Sequence, residues 1–124
     1  LLFDKVTGQF LGNAGMGVSN ANCPSFEVGY WLAEGMEGRG YASEAVRALV
    51  QLAFGQLRAN RIEIVAQAEN APSRAVAERL GFTFELVMRQ QGRNARQNSP
   101  VDLAFYSLIR PEYEARQDDF RGPR

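Results

Sequence analysis

The chain has 124 residues, of which 45% are hydrophobic and 23% are charged, and its 14 basic residues balance 14 acidic ones. This composition is typical of one globular domain, and the zero formal charge gives no electrostatic basis for binding nucleic acid or an anionic membrane. The sequence contains no histidine and one cysteine, Cys23. These counts argue against an intramolecular disulfide, a histidine-based triad and a zinc site, so we expect a metal-free protein in a reducing cytoplasm.

The first third of the chain is predicted to form strands. Two of them, Leu1–Lys5 and Gln9–Val18, flank Thr7-Gly8, which suits a tight hairpin turn. Apolar and other residues then alternate over Phe26–Leu32, the period of a strand with two different faces. This third strand leads directly into the stretch MEGRGYASEA, residues 36–45.

Two amphipathic helices are predicted next, separated by a short strand. From Ala42 to Leu57, apolar residues recur at spacings of three and four. A strand over Arg61–Gln67 follows, and then a second helix over Pro72–Leu80 that Gly81 ends.

The rest of the chain is predicted to form two strands and a frayed end. The strands are Phe82–Met88 and Val101–Ile109, with the polar stretch Gln90–Pro100 between them. The charged residues after about Glu114 are expected to fray. This order predicts an α/β (α+β) fold in one domain, residues 1–124, with helices packed on a mixed sheet.

Gly38 and Gly40 directly precede the first predicted helix. A helix start has unpaired N–H groups and partial positive charge, and glycine lets an anion approach the backbone closely. We therefore predict that Gly38, Gly40 and the amides through Ser43 bind a diphosphate, with Arg39 adding positive charge. The alternative is an ordinary turn in which Gly40 relieves crowding. The third glycine of a dinucleotide-binding motif and the lysine of a P-loop are both missing.

Three motifs follow one another along the chain: GYWLAEGMEGRGYASEA at residues 29–45, ENAPS at 69–73 and ERLGF at 78–82. In order and spacing they resemble the GNAT superfamily of acyl-CoA N-acyltransferases. More narrowly, they resemble its RimJ/RimL-like branch, whose named members acetylate N-terminal amines of ribosomal proteins. The resemblance covers roughly Phe3 to Tyr113 and implies a GNAT-like, mostly antiparallel sheet. Family members usually have a further strand and one or two helices before the hairpin, so we expect N-terminal elements to be missing.

The resemblance implies how acetyl-CoA, the acyl donor, is bound. The family's diphosphate loop, Gln/Arg-x-x-Gly-x-Gly/Ala, corresponds to residues 37–42, and Glu37 departs from it. The strand with Trp31 and Leu32 would splay from the strand Arg61–Gln67, so that its backbone pairs with the pantetheine arm. Asn70 matches an asparagine that bonds to this arm, and it is also suited to cap the second helix. The implied cofactor-binding residues are Trp31, Leu32, Gly38, Arg39, Gly40, Tyr41, Ala42, Ser43, Asn70 and Ser73.

Two catalytic residues are expected. Many family members protonate the leaving CoA thiolate with a tyrosine, whose place is taken here by Ala77. Ser73, one turn earlier, is our candidate proton donor, with a polar first-turn residue as the alternative. Without histidine the general base must be a carboxylate, and Glu27 is the candidate, with an exposed strand residue as the alternative. Tyr106 is expected either to line the acceptor pocket or to pack in the core.

The function implied by the resemblance is transfer of an acetyl group from acetyl-CoA to a primary amine, by direct attack on the thioester. The acceptor is expected to be a protein N-terminus or a small amine. Glu37 and Ala77 keep open an alternative, a CoA-binding module with weak or no activity. Homodimers are common in the family, but no residue in this chain requires one.

Overall fold

The computed structural model describes residues 2–3, 10–20, 22–32, 40–94 and 98–120. It confirms a mixed α/β fold with helices packed on a mostly antiparallel sheet. Within these residues the strands are β1 (Leu2–Phe3), β2 (Phe10–Asn20), β3 (Ser25–Leu32), β4 (Arg61–Gln67), β5 (Thr83–Asn94) and β6 (Ser99–Ile109). The helices are α1 (Tyr41–Gly55), α2 (Ala71–Arg79) and α3 (Arg110–Ala115), followed by a 3₁₀ turn at Gln117–Phe120.

The strands form one sheet in the order β1-β2-β3-β4-β6-β5. All neighbouring pairs are antiparallel except β3 and β4, which are parallel and are connected through α1. A parallel pair needs a crossover of this kind because its second strand must start at the same edge of the sheet as the first. The carboxyl ends of β3 and β4, and therefore the starts of α1 and α2, lie toward the same edge.

One face of the sheet carries the core. The alternating residues Val28 of β3 and Ile62 and Ile64 of β4 are fully buried, in one apolar cluster with residues of α1 and α2. Burial of each such side chain contributes about 1.5–3 kcal/mol, which holds both helices against the same face. Strand alternation directs Glu27 and Glu63 to the opposite face. Among the described residues, none of the helices has the length and apolar character needed to cross a membrane.

The last two strands are longer than predicted. The polar stretch Gln90–Pro100 was expected to connect them, but β5 continues to Asn94 and β6 begins at Ser99. Backbone pairing explains the difference, because Arg93 pairs with Pro100 and Asn94 with Ser99 in a ribbon in which the first pair is exposed and the second is half-buried. A hydrophobic pattern cannot reveal strands made of polar residues.

The prediction that the chain frays after about Glu114 is wrong as far as Phe120. The Phe120 side chain is fully buried, and its ring lies 5.7 Å from that of Tyr113. Tyr113 in turn stacks on Phe54 of α1 at 4.6 Å. A single aromatic residue among charged ones has no periodicity, so only these long-range ring contacts identify this segment as part of the core.

Candidate functional site

An opening in the sheet begins where β3 and β4 part. Their parallel pairing runs from Ser25 and Arg61 to Val28 and Ile64. Beyond these residues β3 continues to pair with β2, and β4 with β6. Within the described residues, the facing edges of the two strands thus carry backbone N–H and C=O groups that the sheet does not pair, and these groups can bind an extended ligand.

Trp31 and Leu32 lie in the diverging part of β3. Their partners are Asn13 and Gly12 of β2, so one backbone edge is occupied and the other faces the opening. The expected divergence from the strand Arg61–Gln67 is therefore present.

The start of α1 has the backbone conformation that favours glycine. Gly40 is the N-cap, with φ 80° and ψ 2°, and it provides no side-chain cap. A Cβ atom at Gly40 would meet none of the described residues within 4 Å. Glycine is therefore favoured by the positive φ rather than by crowding, contrary to the alternative considered from the sequence. Gly38 and Arg39 lie outside the described residues.

Three amides at this helix start precede the first helical hydrogen bond. Glu44 N–H donates that bond to the Gly40 carbonyl, at 3.0 Å, after Tyr41, Ala42 and Ser43. The Ala42 side chain is buried in the core, which fixes the backbone of this turn while leaving its amides at the helix end. These three amides have no acceptor within the helix, and together with the positive end of the helix dipole they favour an anion.

A cation from another helix reaches this start. Arg79 in the last turn of α2 donates a hydrogen bond from Nη1 to Ser43 Oγ, at 3.2 Å. Ser43 is buried, whereas Arg79 is exposed. Sequence reasoning missed Arg79, although it lies inside the ERLGF motif. No local pattern indicates that the end of α2 meets the start of α1.

The start of α2 is capped by Asn70. Its Oδ1 atom accepts a hydrogen bond from Ser73 N–H at 3.2 Å, so the capping role is present. Asn70 is exposed, and its side chain retains an oxygen lone pair and two N–H donors for other partners. The capping interaction therefore leaves the amide able to bind a ligand.

Ser73 is half-buried and is contacted from across the opening. The Tyr30 hydroxyl of β3 donates a hydrogen bond to the Ser73 carbonyl at 2.7 Å. Burial, and to a smaller extent the nearby Tyr106, raises the pKa of Tyr30 to about 12, although the bond to Ser73 acts in the opposite direction. Ala77, at the position of the family's tyrosine, is fully buried in the core. Ser73 is thus the hydroxyl that α2 itself presents near this point.

Glu27 lies in the paired part of β3. It is exposed and lies between Gly17 of β2 and Glu63 of β4, one residue before the pairing with β4 ends. Because side chains alternate along a strand, Glu27 and Tyr30 point to opposite faces of the sheet. The structure therefore places Glu27 and Ser73 on opposite sides of the sheet, beside the same opening.

Tyr106 belongs to the core rather than to a pocket. Its side chain is fully buried and its hydroxyl accepts a hydrogen bond from Arg74 Nε at 2.9 Å. The same hydroxyl donates to Glu78 Oε2 at 3.2 Å. The packing alternative for Tyr106 is correct, and the hydroxyl holds α2 to the sheet.

A cavity of about 250 Å³ lies next to Asn70, between the turn after β4 and the ribbon of β5 and β6. Its lining includes the carboxylates of Glu69 and Asp102 and the amides of Gln67 and Gln90, and no basic residue. The Asp102 carboxylate accepts a hydrogen bond from Gln90 N–H at 2.8 Å. This polar, acidic lining suits a small cationic group.

Comparisons with known proteins agree with this geometry. Residues 1–83 match the family model described as an acetyltransferase (GNAT) domain. The Bacillus subtilis protein YdaF, named for a suggested ribosomal N-acetyltransferase activity, is 41% identical over 93 residues, which are 71% of this chain and 47% of YdaF. The Escherichia coli ribosomal-protein-serine acetyltransferase is 39% identical over 66 residues, 52% of this chain and 36% of that enzyme.

Structural similarity leads to the same family. The structure of Mycobacterium smegmatis RimJ in complex with CoA-disulfide superposes with a TM-score of 0.76 at 28% identity, over 85% of this chain and 50% of that one. The chain therefore spans half or less of the length of these three relatives. The diverging strands and the glycine-capped helix start agree with the family match over residues 1–83. This chain therefore belongs to the GNAT family of acetyltransferases, and its relatives agree with the RimJ/RimL-like branch.

Proposed function

We propose that this chain, as part of one GNAT domain, transfers an acetyl group from acetyl-CoA to a primary amine. The acceptor is a protein N-terminus or a small amine. The observation that supports this function best is the divergence of β3 and β4 after Val28 and Ile64, with the starts of α1 and α2 toward the same edge of the sheet.

Donor binding would use both sides of the opening. The pantetheine arm would add to the free edge of β3 near Trp31 and Leu32, with Asn70 bonding to its amides. The diphosphate would lie at the α1 start, from Gly38 and Arg39 to Ser43, where the amides and the helix dipole favour an anion. Arg79 would supply charge that offsets the exposed carboxylate of Glu44.

Acetyl transfer requires that the acceptor ammonium first lose a proton. Glu27 would accept this proton, directly or through water, on the face opposite α2. The neutral nitrogen then attacks the thioester carbonyl and loses its second proton to water, the C–S bond breaks, and the CoA thiolate leaves. Ser73 Oγ–H would donate a proton to the thiolate on the α2 side and recover one from water. Separation of the two residues across the sheet suits a direct transfer in which nucleophile and leaving group lie on opposite sides of the carbonyl.

The cavity beside Asn70 supports a cationic acceptor. Glu69 and Asp102 would attract a second cationic group of the acceptor, and a volume of about 250 Å³ accommodates such a group, while the reacting amine lies at the opening. An anionic acceptor would meet two carboxylates there.

A second candidate function, CoA binding without catalysis, is favoured by one observation. Ala77 occupies the place of the family's proton donor and is fully buried, so the chain lacks that tyrosine. The two functions differ in product formation and share CoA binding.

Calorimetric titration with acetyl-CoA, followed by a thiol-release assay on a panel of peptides and polyamines, tests both functions. Mass spectrometry should then find an acceptor that is about 42 Da heavier, which is the mass added by one acetyl group. Binding without any product would favour the CoA-binding module. Absence of binding to acetyl-CoA would refute both functions.

A further inference from the structure

Tyr30 spans the opening in the sheet, and we infer that it is a positioning residue for the proposed acetyl transfer. Its hydroxyl holds the first turn of α2, and thereby keeps Ser73 Oγ at the leaving thiolate. This inference rests on the proposed function and assigns a role to a residue that does not itself react.

The position of Tyr30 connects two elements that the sheet leaves apart. It lies two residues beyond Val28, the last residue of β3 that pairs with β4. Its hydroxyl reaches the Ser73 carbonyl at 2.7 Å, in a partly buried contact between residues 43 positions apart in sequence. The bond therefore sets the separation between β3 and α2 where the strands no longer do so.

Helix α2 depends on such polar contacts because it has a small apolar face. It has nine residues, of which Val76 and Ala77 are buried. Tyr106 from β6 contacts both Arg74 and Glu78, and Tyr30 from β3 donates to the Ser73 carbonyl. Two tyrosine hydroxyls from different strands thus hold the helix, and Tyr30 is the one that connects it to β3.

The chemistry of the Tyr30 hydroxyl fits a donor that stays in place. Its pKa of about 12 keeps it protonated at neutral pH, and its proton is directed to the Ser73 carbonyl. Because its proton is already donated to the Ser73 carbonyl, the Tyr30 hydroxyl suits positioning rather than proton donation to the thiolate.

The test is a double-mutant cycle of Tyr30→Phe and Ser73→Ala, measured as kcat and as the KM for acetyl-CoA on one acceptor. Phenylalanine keeps the ring and removes only the hydroxyl. We expect Tyr30→Phe to lower kcat by roughly 10-fold while the KM changes by less than about 2-fold. In the Ser73→Ala background the same change should have no further effect, because there is no hydroxyl left to position. Tyr113→Phe, outside the site, is the matched control.

Hydrogen exchange gives a second measurement that does not depend on turnover. Tyr30→Phe should speed exchange of the α2 amides that follow Ser73, while exchange in α1 stays unchanged. An unchanged kcat, or an equal loss in both backgrounds, would overturn the inference while the proposed function stands. A loss confined to KM would make Tyr30 part of the cofactor-binding wall and would also overturn it. If the wild-type protein has no acetylation activity, the proposed function is wrong, and so is this inference.

Discussion

Replacing Gly40 by aspartate or asparagine separates the effect of charge at the α1 start from the effect of backbone strain. Both side chains tolerate a positive φ better than other non-glycine residues, and a Cβ atom there meets no described part of the chain within 4 Å. Each variant should therefore lose about 1 kcal/mol of stability from the same strain. Aspartate should recover about 0.3–1 kcal/mol relative to asparagine, because its charge is favourable at the positive end of the helix dipole.

Acetyl-CoA affinity should change in the opposite direction. A carboxylate about 8 Å from a phosphate, with an effective dielectric constant of about 20–40, costs about 1–2 kcal/mol per unit charge. Gly40→Asp should therefore bind acetyl-CoA roughly 5- to 30-fold more weakly than Gly40→Asn. A variant that is more stable and binds more weakly than its neutral counterpart identifies an anion site at the helix start.

Isothermal titration of both variants, at low and at high salt, measures this difference, and thermal unfolding measures the stability. Salt should narrow the gap in affinity, because the charges are exposed. S-acetylpantetheine, which lacks the diphosphate, is the control ligand and should not discriminate between the variants. Equal acetyl-CoA affinities for Gly40→Asp and Gly40→Asn would refute the diphosphate assignment at this position.

Three further substitutions test the site. Glu27→Gln should preserve acetyl-CoA affinity and lower the rate near neutral pH by roughly 10²-fold, with partial recovery at higher pH; parallel pH–rate profiles would exclude Glu27 as the base. Ser73→Ala should lower kcat more than it weakens acetyl-CoA binding, and an equal loss in both would make Ser73 a binding or capping residue. Arg79→Ala should weaken binding of acetyl-CoA by roughly 5-fold and leave S-acetylpantetheine unaffected. Arg58→Ala, at the other end of α1, removes the same charge and should leave the affinity for both ligands unchanged. An identical effect of the two arginine variants would exclude a specific role for Arg79.

Local features of the fold could be predicted because their causes are local. Apolar periodicity located α1, β4 and α2 to within a few residues, since it reports which side of each element is buried. Gly40 and Asn70 were recognised at helix starts because the requirements of a positive φ and of a capping oxygen depend on a few consecutive residues. The ribbon at Asn94 and Ser99 was missed because its residues are polar and have no apolar alternation.

By itself, the sequence determined the elements that have apolar periodicity, the glycine-capped anion site as a hypothesis, and the family. Tertiary structure decided which groups meet around the opening. Contacts such as Arg79 with Ser43 and Tyr30 with Ser73 join residues 36 and 43 positions apart. The register also decided that Glu27 lies on the face opposite α2, because pairing with β4 sets which alternate side chains point toward the helices. A one-dimensional pattern specifies that a face is buried, but the partner that covers it, and the point where two strands part, depend on packing the whole chain.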